Sequence, residues 1–373
     1  MRISLNIVRV TMNTDTMDDL NRINTCFVFM DAAYLFRDEQ VTDHCKRTIL
    51  RFLFIQIDNI LKVAGRAKNK LRKEHLITKA DEVRIKELIE VLAKSYDRAY
   101  DTIRDKIAAH SQPLDLISLL YWWSDIDQIT IAILYEDAKN IQTAFTSVNG
   151  LQFQGISDYS RLSIPNDSPI SLVLNPVPSF SSDRLGLSKE NTVSMIACHP
   201  SQEKAQTILS IIDFLGIDFA LTAATNNPAT NYQKWLFDIG WLLAMVDICA
   251  LIDNLFNDNQ YDQSLLSHWK PDMAGYETLS SCDKNRDAAI EGKIRDIRNT
   301  LGAHLDTSRK VSDVFAQFNS IDLASVHGYA CHLVNSFFDA CRKDIRTKTF
   351  CIQNVPLNGV ISVQSNGYKP FEA

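Results

Sequence analysis

Three short stretches of this chain recur in the same order at a nearly constant spacing, and that repetition limits the folds open to it more than any other feature. Ile57-Asp58-Asn59-Ile60-Leu61 corresponds to Ile252-Asp253-Asn254-Leu255-Phe256 at an offset of 195 residues. Ile103-Arg104-Asp105-Lys106-Ile107-Ala108-Ala109-His110 corresponds to Ile297-Arg298-Asn299-Thr300-Leu301-Gly302-Ala303-His304 at 194, and Ser124-Asp125-Ile126-Asp127 to Asn319-Ser320-Ile321-Asp322 at 195 again. Collinear matches with a single-residue shift argue for an internal duplication. Two copies of one fold usually pack about a pseudo-twofold axis with like surfaces meeting.

The length supports two copies. A chain of 373 residues with 46% apolar residues, 12 Gly and 10 Pro has enough material for two domains, each with its own core. Apolar spacing predicts helices at about 24–38, 43–65, 79–110 and 114–145 in the first half. In the second of these Ile49, Phe52, Leu53, Ile57, Ile60 and Leu61 form one stripe at three- and four-residue intervals. Helical spacing resumes near Gln202 and predicts segments at about 202–222, 230–257, 284–305 and 309–346, with a looser polar connection at 258–283.

Between the halves, Pro165, Pro169, Pro176 and Pro178 lie among many serines and short β-prone pieces such as Ile170 to Leu174, the composition of an insert. The tail is extended in character, with Phe350-Cys351-Ile352 and Val360 to Val363 around an Asn358-Gly359 turn signal, and the expectation is a small sheet joining tail and insert. The expected organisation is all-α: a helical domain over 1–150, an insert over 151–200, a second helical domain over 201–346 and a tail over 347–373.

Charge narrows the partners. With a net charge of −6 the chain lacks the broad basic face of a protein whose whole surface grips nucleic acid. The acid excess is C-terminal, since residues 1–150 hold 21 Lys/Arg against 21 Asp/Glu. One basic run stands out, namely Lys62, Arg66, Lys68, Lys70, Arg72 and Lys73, which reads either as a solvated loop between helices or as a track for phosphates. The eight cysteines are scattered without a CxxC pair, the pattern of reduced thiols in a cytoplasmic protein. The most apolar window, Trp235 to Phe256, contains Asp238, Asp247 and Asp253, so a buried core helix is expected there rather than a membrane span. His327, Cys331 and His332 do not make a metal set, because i, i+5 spacing turns the two histidines to different faces.

The Arg-x5-His element occurs at equivalent places in both halves, as Arg104/His110 and Arg298/His304. Taken singly the pattern is weak: 19 Arg and 8 His would give roughly 0.4 chance matches. Its recurrence at repeat-equivalent positions, with a polar residue after Arg (Asp105, Asn299) and Ala before His (Ala109, Ala303), raises it above chance. Pro113 after His110 and Gly302 before His304 put each histidine near a helix C-terminus, where the helix dipole favours imidazolium. These groups suit attack of an RNA 2′-hydroxyl on its neighbouring phosphate, with histidine as base or acid and arginine stabilising charge on the phosphorane oxygens, and no cofactor or metal. Asp58 and Asp253 read either as carboxylates that orient these side chains or as core polar groups bonded to backbone. Trp122, Trp123 and Tyr121 read as core, with base stacking as the alternative.

An Arg-polar-x4-His pattern at the end of a long helix, in a helical domain of this size, resembles the HEPN superfamily (higher eukaryotes and prokaryotes nucleotide-binding). The resemblance covers about 24–145 and 202–346. It implies two four-helix domains packed as a pseudo-dimer, with Arg104, His110, Arg298 and His304 as catalytic residues of a metal-independent endoribonuclease and Asp105 and Asn299 in support. It further implies an RNA substrate, a role as a toxin or antiphage defence effector, and an antitoxin or other regulatory protein, or a second copy of the chain, as partner. A non-catalytic member that binds RNA or nucleotide, or inhibits another protein, is the alternative.

Overall fold

The computed structural model describes residues 12–38, 43–96, 98–109, 126, 128–148, 192–197, 204, 207, 208, 211, 212, 231–259, 262–269, 271, 275–303, 308–344, 348–353 and 362–368. His110, His304, the Tyr121–Trp123 cluster, the β-prone piece at 170–174 and most of the helix expected at 202–222 lie outside these residues.

The body is all-α. Helix α1 (Thr14–Leu35) begins where Asn13 caps it, its side chain accepting from the Asp15 amide at 3.0 Å. It starts ten residues before the apolar stripe that marks it in the sequence, because the cap and not the stripe fixes the first turn. Helix α2 (Asp43–Lys73) runs past its expected end near 65, since Ala64, Ala67 and Leu71 continue its buried face. The basic run is therefore helical, which corrects the reading of it as a loop. The helix closes on a Schellman motif, with the Leu76 amide donating to the Leu71 carbonyl at 2.9 Å and the His75 amide to Arg72 at 3.1 Å. His75 takes the left-handed conformation, φ 57°, that this motif requires.

A capping box of Thr78 and Asp81 starts α3 (Lys79–Ser95). The single helix expected over 79–110 breaks at Tyr96, whose hydroxyl donates to the Phe54 carbonyl at 3.3 Å, and resumes as α4 (Arg98–Ile103). After α4 the backbone widens into a π turn, Arg104–Ala108, closed by the Ala109 amide donating to the Arg104 carbonyl at 2.7 Å. Helix α5 (Gln128–Thr146) completes the described part of this half.

In the second half α6 (Asn231–Phe256) is buried on nearly every side, as a core helix of this composition must be. Among the described residues it is the one helix long and apolar enough to cross a membrane, yet its apolar window is packed within the protein. The stretch expected as a loose connection carries two short helices, α7 (Leu265–His268) and α8 (Tyr276–Lys284). Asp287 caps α9 (Ala288–Ile297), and α9 too runs into a π turn, Arg298–Gly302, closed by the Ala303 amide on the Arg298 carbonyl at 2.7 Å. The last helical segment is two helices, α10 (Val311–Asn319) and α11 (Leu323–Asp344), because Asp322 caps the second through the Ala324 amide at 3.1 Å. Strands β1 (Thr192–Ala197), β2 (Lys348–Gln353) and β3 (Ser362–Tyr368) pair antiparallel in that order, with Thr192 opposite Gln353 and Ile352 opposite Val363.

The core departs from two self-contained halves. One apolar cluster joins α1, α2, α3 and α5 through residues such as Phe27, Leu53, Ile60 and Phe145. The other gathers around α6, and Phe29, Ala33, Phe52 and Ile55 of α1 and α2 belong to it. Thus α1 and α2 face both clusters. At their junction the fully buried Arg51 and Asp247 form a two-pronged ion pair at 3.0 and 2.5 Å, joining α2 to α6.

Candidate functional site

The two π turns carry the arginines singled out in the sequence. Each arginine is the first residue of its turn, and each binds the side chain of the residue that follows it: Arg104 pairs with Asp105, and Arg298 donates through Nη1 to Asn299 Oδ1 at 2.7 Å. A π turn opens one extra residue into the helix, so its carbonyls and side chains lie off the regular helical rows. The two motifs, 194 residues apart in the sequence, thus share a backbone form.

Surrounding groups fix each turn from outside. Arg51 Nη1 donates to the Ile107 carbonyl at 3.2 Å while its guanidinium holds Asp247, so the first turn is anchored to α2 and, through the ion pair, to α6. The second turn lies directly on α6. A Cβ at Gly302 would meet the Leu242 carbonyl oxygen and the Val246 Cγ2 at 3.2 Å each, so the glycine is what permits that approach. Both turns therefore bear on the α2–α6 junction.

The halves meet at the motif itself. Arg298 Nη2 donates to the Ala109 carbonyl oxygen at 3.1 Å, reaching the residue immediately before His110. Burial is the main influence on the Arg298 pKa and lowers it; Cys249 and Asp253 oppose this, and the Arg295 and Arg104 charges add to it. The two motif arginines are close enough for their charges to interact. A guanidinium nevertheless keeps its charge at any pH relevant here.

The supporting carboxylates divide. Asp58 orients Arg104, accepting from Nη2 at 3.1 Å, and takes Lys62 at 2.6 Å. Asp253, its counterpart, pairs with Arg295 at 2.8 and 3.2 Å, one turn before Arg298. Asp101 stands where the second half has Arg295, and its pKa is raised by burial and by the Asp58 and Asp105 charges. Asp296 is held by Arg309 at 3.2 Å and by Gln317.

The basic run is interleaved with acids from neighbouring helices. Arg66 and Lys70 both hold Asp19 of α1, at 2.5 and 2.7 Å, and Arg72 holds Glu82 of α3 at 3.1 Å. With Lys62 on Asp58, four of its six cations are paired; Lys68 and Lys73 complete the run. On α11, His327 lies against Cys331 at 3.8 Å, whereas His332 turns to Cys282 of α8 at 3.6 Å, the divergence expected from their spacing. Sequence reasoning did not single out Arg51 and Arg295. The signal for Arg51 was a cation inside the apolar stripe of α2, matched by Asp247, one of three carboxylates inside the apolar helix α6.

Comparison with protein-family models, curated proteins and solved structures finds no match.

Proposed function

We propose that this chain is a metal-independent endoribonuclease of HEPN type, built from two duplicated halves that share one catalytic centre. The observation that carries the reading is the hydrogen bond from Arg298 to the Ala109 carbonyl, which ties the arginine of one motif to the residue preceding the histidine of the other. The paired π turns and the interacting Arg104 and Arg298 charges support it.

In the proposed reaction one of His110 and His304 accepts the proton of a ribose 2′-hydroxyl as the oxygen attacks the adjacent phosphorus. Arg298, with Arg104, stabilises the negative charge that builds on the non-bridging oxygens. The other histidine donates a proton to the departing 5′-oxygen, so the products are a 2′,3′-cyclic phosphate and a 5′-hydroxyl. Every proton is accounted for within the pair, and the reaction calls for no metal. A cytoplasmic role as a toxin or antiphage effector, restrained by a regulatory protein, is the biological setting proposed.

Incubation of the protein with single-stranded RNA in excess chelator tests the reading. Cleavage with 2′,3′-cyclic phosphate ends is the expected outcome. Intact RNA, or cleavage that stops on metal removal, contradicts it; RNA bound but uncut identifies the non-catalytic alternative.

A further inference from the structure

The two arginine centres are not chemically equivalent, and at the position after each arginine the difference is a carboxylate against an amide. Arg104 is buried, its side chain 9% exposed, and both terminal nitrogens contact carboxylates: Nη2 contacts Asp58 and Nη1 contacts Asp105. Asp58 is itself buried, 11% exposed, and is shared with Lys62, so it belongs to the packed framework. Asp105 is 48% exposed and opens to solvent. In the second centre the equivalent contact is made by Asn299, a neutral amide oxygen at 2.7 Å from Arg298 Nη1. The chain thus supplies its own comparison of acid and amide at one position.

A carboxylate and a phosphodiester compete for the same guanidinium edge, because both present two oxygens in the plane of its N–H groups. We propose that Asp105 is an anionic mask on Arg104: it occupies the Nη1 edge that an RNA phosphate would take and repels the phosphate's charge, so RNA engages the Arg298 centre first. This inference rests on the ribonuclease reading for its ligand, an RNA phosphodiester. The proposed asymmetry gives the pseudo-twofold site a polarity, with a neutral amide beside Arg298 and an anionic mask beside Arg104.

The test is binding of a 2′-O-methyl RNA oligonucleotide, which cannot be cut at its 2′-position, to the full chain and to Asp105→Asn and Asn299→Asp, across a range of salt. Asp105→Asn should bind several-fold tighter at low salt, with the slope of log K against log salt steeper by about 0.7, one added single-strand phosphate contact. Asn299→Asp should bind more weakly, and adding Arg104→Ala to Asp105→Asn should remove the gain. Unchanged or weaker binding by Asp105→Asn, a gain that survives Arg104→Ala, or no binding by any variant overturns the proposal. Absence of 2′,3′-cyclic phosphate ends with native RNA would instead overturn the nuclease reading, so the two failures are separable.

Discussion

Among single residues, the charged side chains sealed inside the helices carry the strongest consequences. Arg51 and Asp247 have no exposed surface and form a two-pronged ion pair, so removing one partner strands a charge without water. Asp247→Ala should cost about 3–5 kcal/mol of stability, read from urea unfolding, and exceed the effect of Asp105→Asn, which leaves a half-exposed isostere. His327 tests the acid side. Burial lowers its pKa from the ordinary imidazole value of 6.5, so the fold favours the neutral ring. Its contribution is complete above 6.5 and is lost as pH falls below that value, where the unfolded chain gains a proton the folded one resists. Thermal unfolding of His327→Gln should accordingly show a shallower loss of stability than the parent between neutrality and mild acid. An identical slope in both proteins would count against burial as the cause.

Helix ends decide what the sequence does and does not disclose at the scale of elements. The body of each helix was legible because apolar residues recur at three and four positions; α6 lies close to where that spacing puts it, and α2 begins where expected but ends eight residues later. The break at Tyr96 was not, since neither Gly nor Pro marks it and a tertiary hydrogen bond to Phe54 helps hold the chain there. The π turns were illegible for a similar reason: an extra residue is accommodated by packing on α2 and α6, and composition carries no trace of it apart from Gly302. Gly302→Ala should therefore be destabilising by about 1–3 kcal/mol, as the new methyl group presses on the Leu242 backbone and Val246. At the end of α2 the sign reverses. His75 holds a left-handed conformation at φ 57°, so His75→Gly should raise stability by about 0.5–1 kcal/mol despite the added freedom of the unfolded chain. Denaturant midpoints of the two variants, moving in opposite directions, check both.

For the whole molecule, the repeat offset of 194–195 residues brought Arg104 and Arg298 to attention, and the structure gives them matching turns that bear on one junction. What the repeat did not disclose is how little the halves are separate: α1 and α2 supply side chains to both apolar clusters, so the pieces 1–150 and 201–346 do not have independent cores. Periodicity reports which face of a helix is buried but not which partner buries it. The proposed shared centre makes a prediction that independent centres do not. Residues that act as one catalytic group lose activity together, so each single loss resembles the combined loss. The most direct measurement is the rate of RNA cleavage in chelator by His110→Ala, His304→Ala and the double variant, each checked for a folded helical spectrum. The account predicts that either single variant is as inactive as the double. Single variants that each keep about half of the parent rate, or either one at full rate, would contradict it.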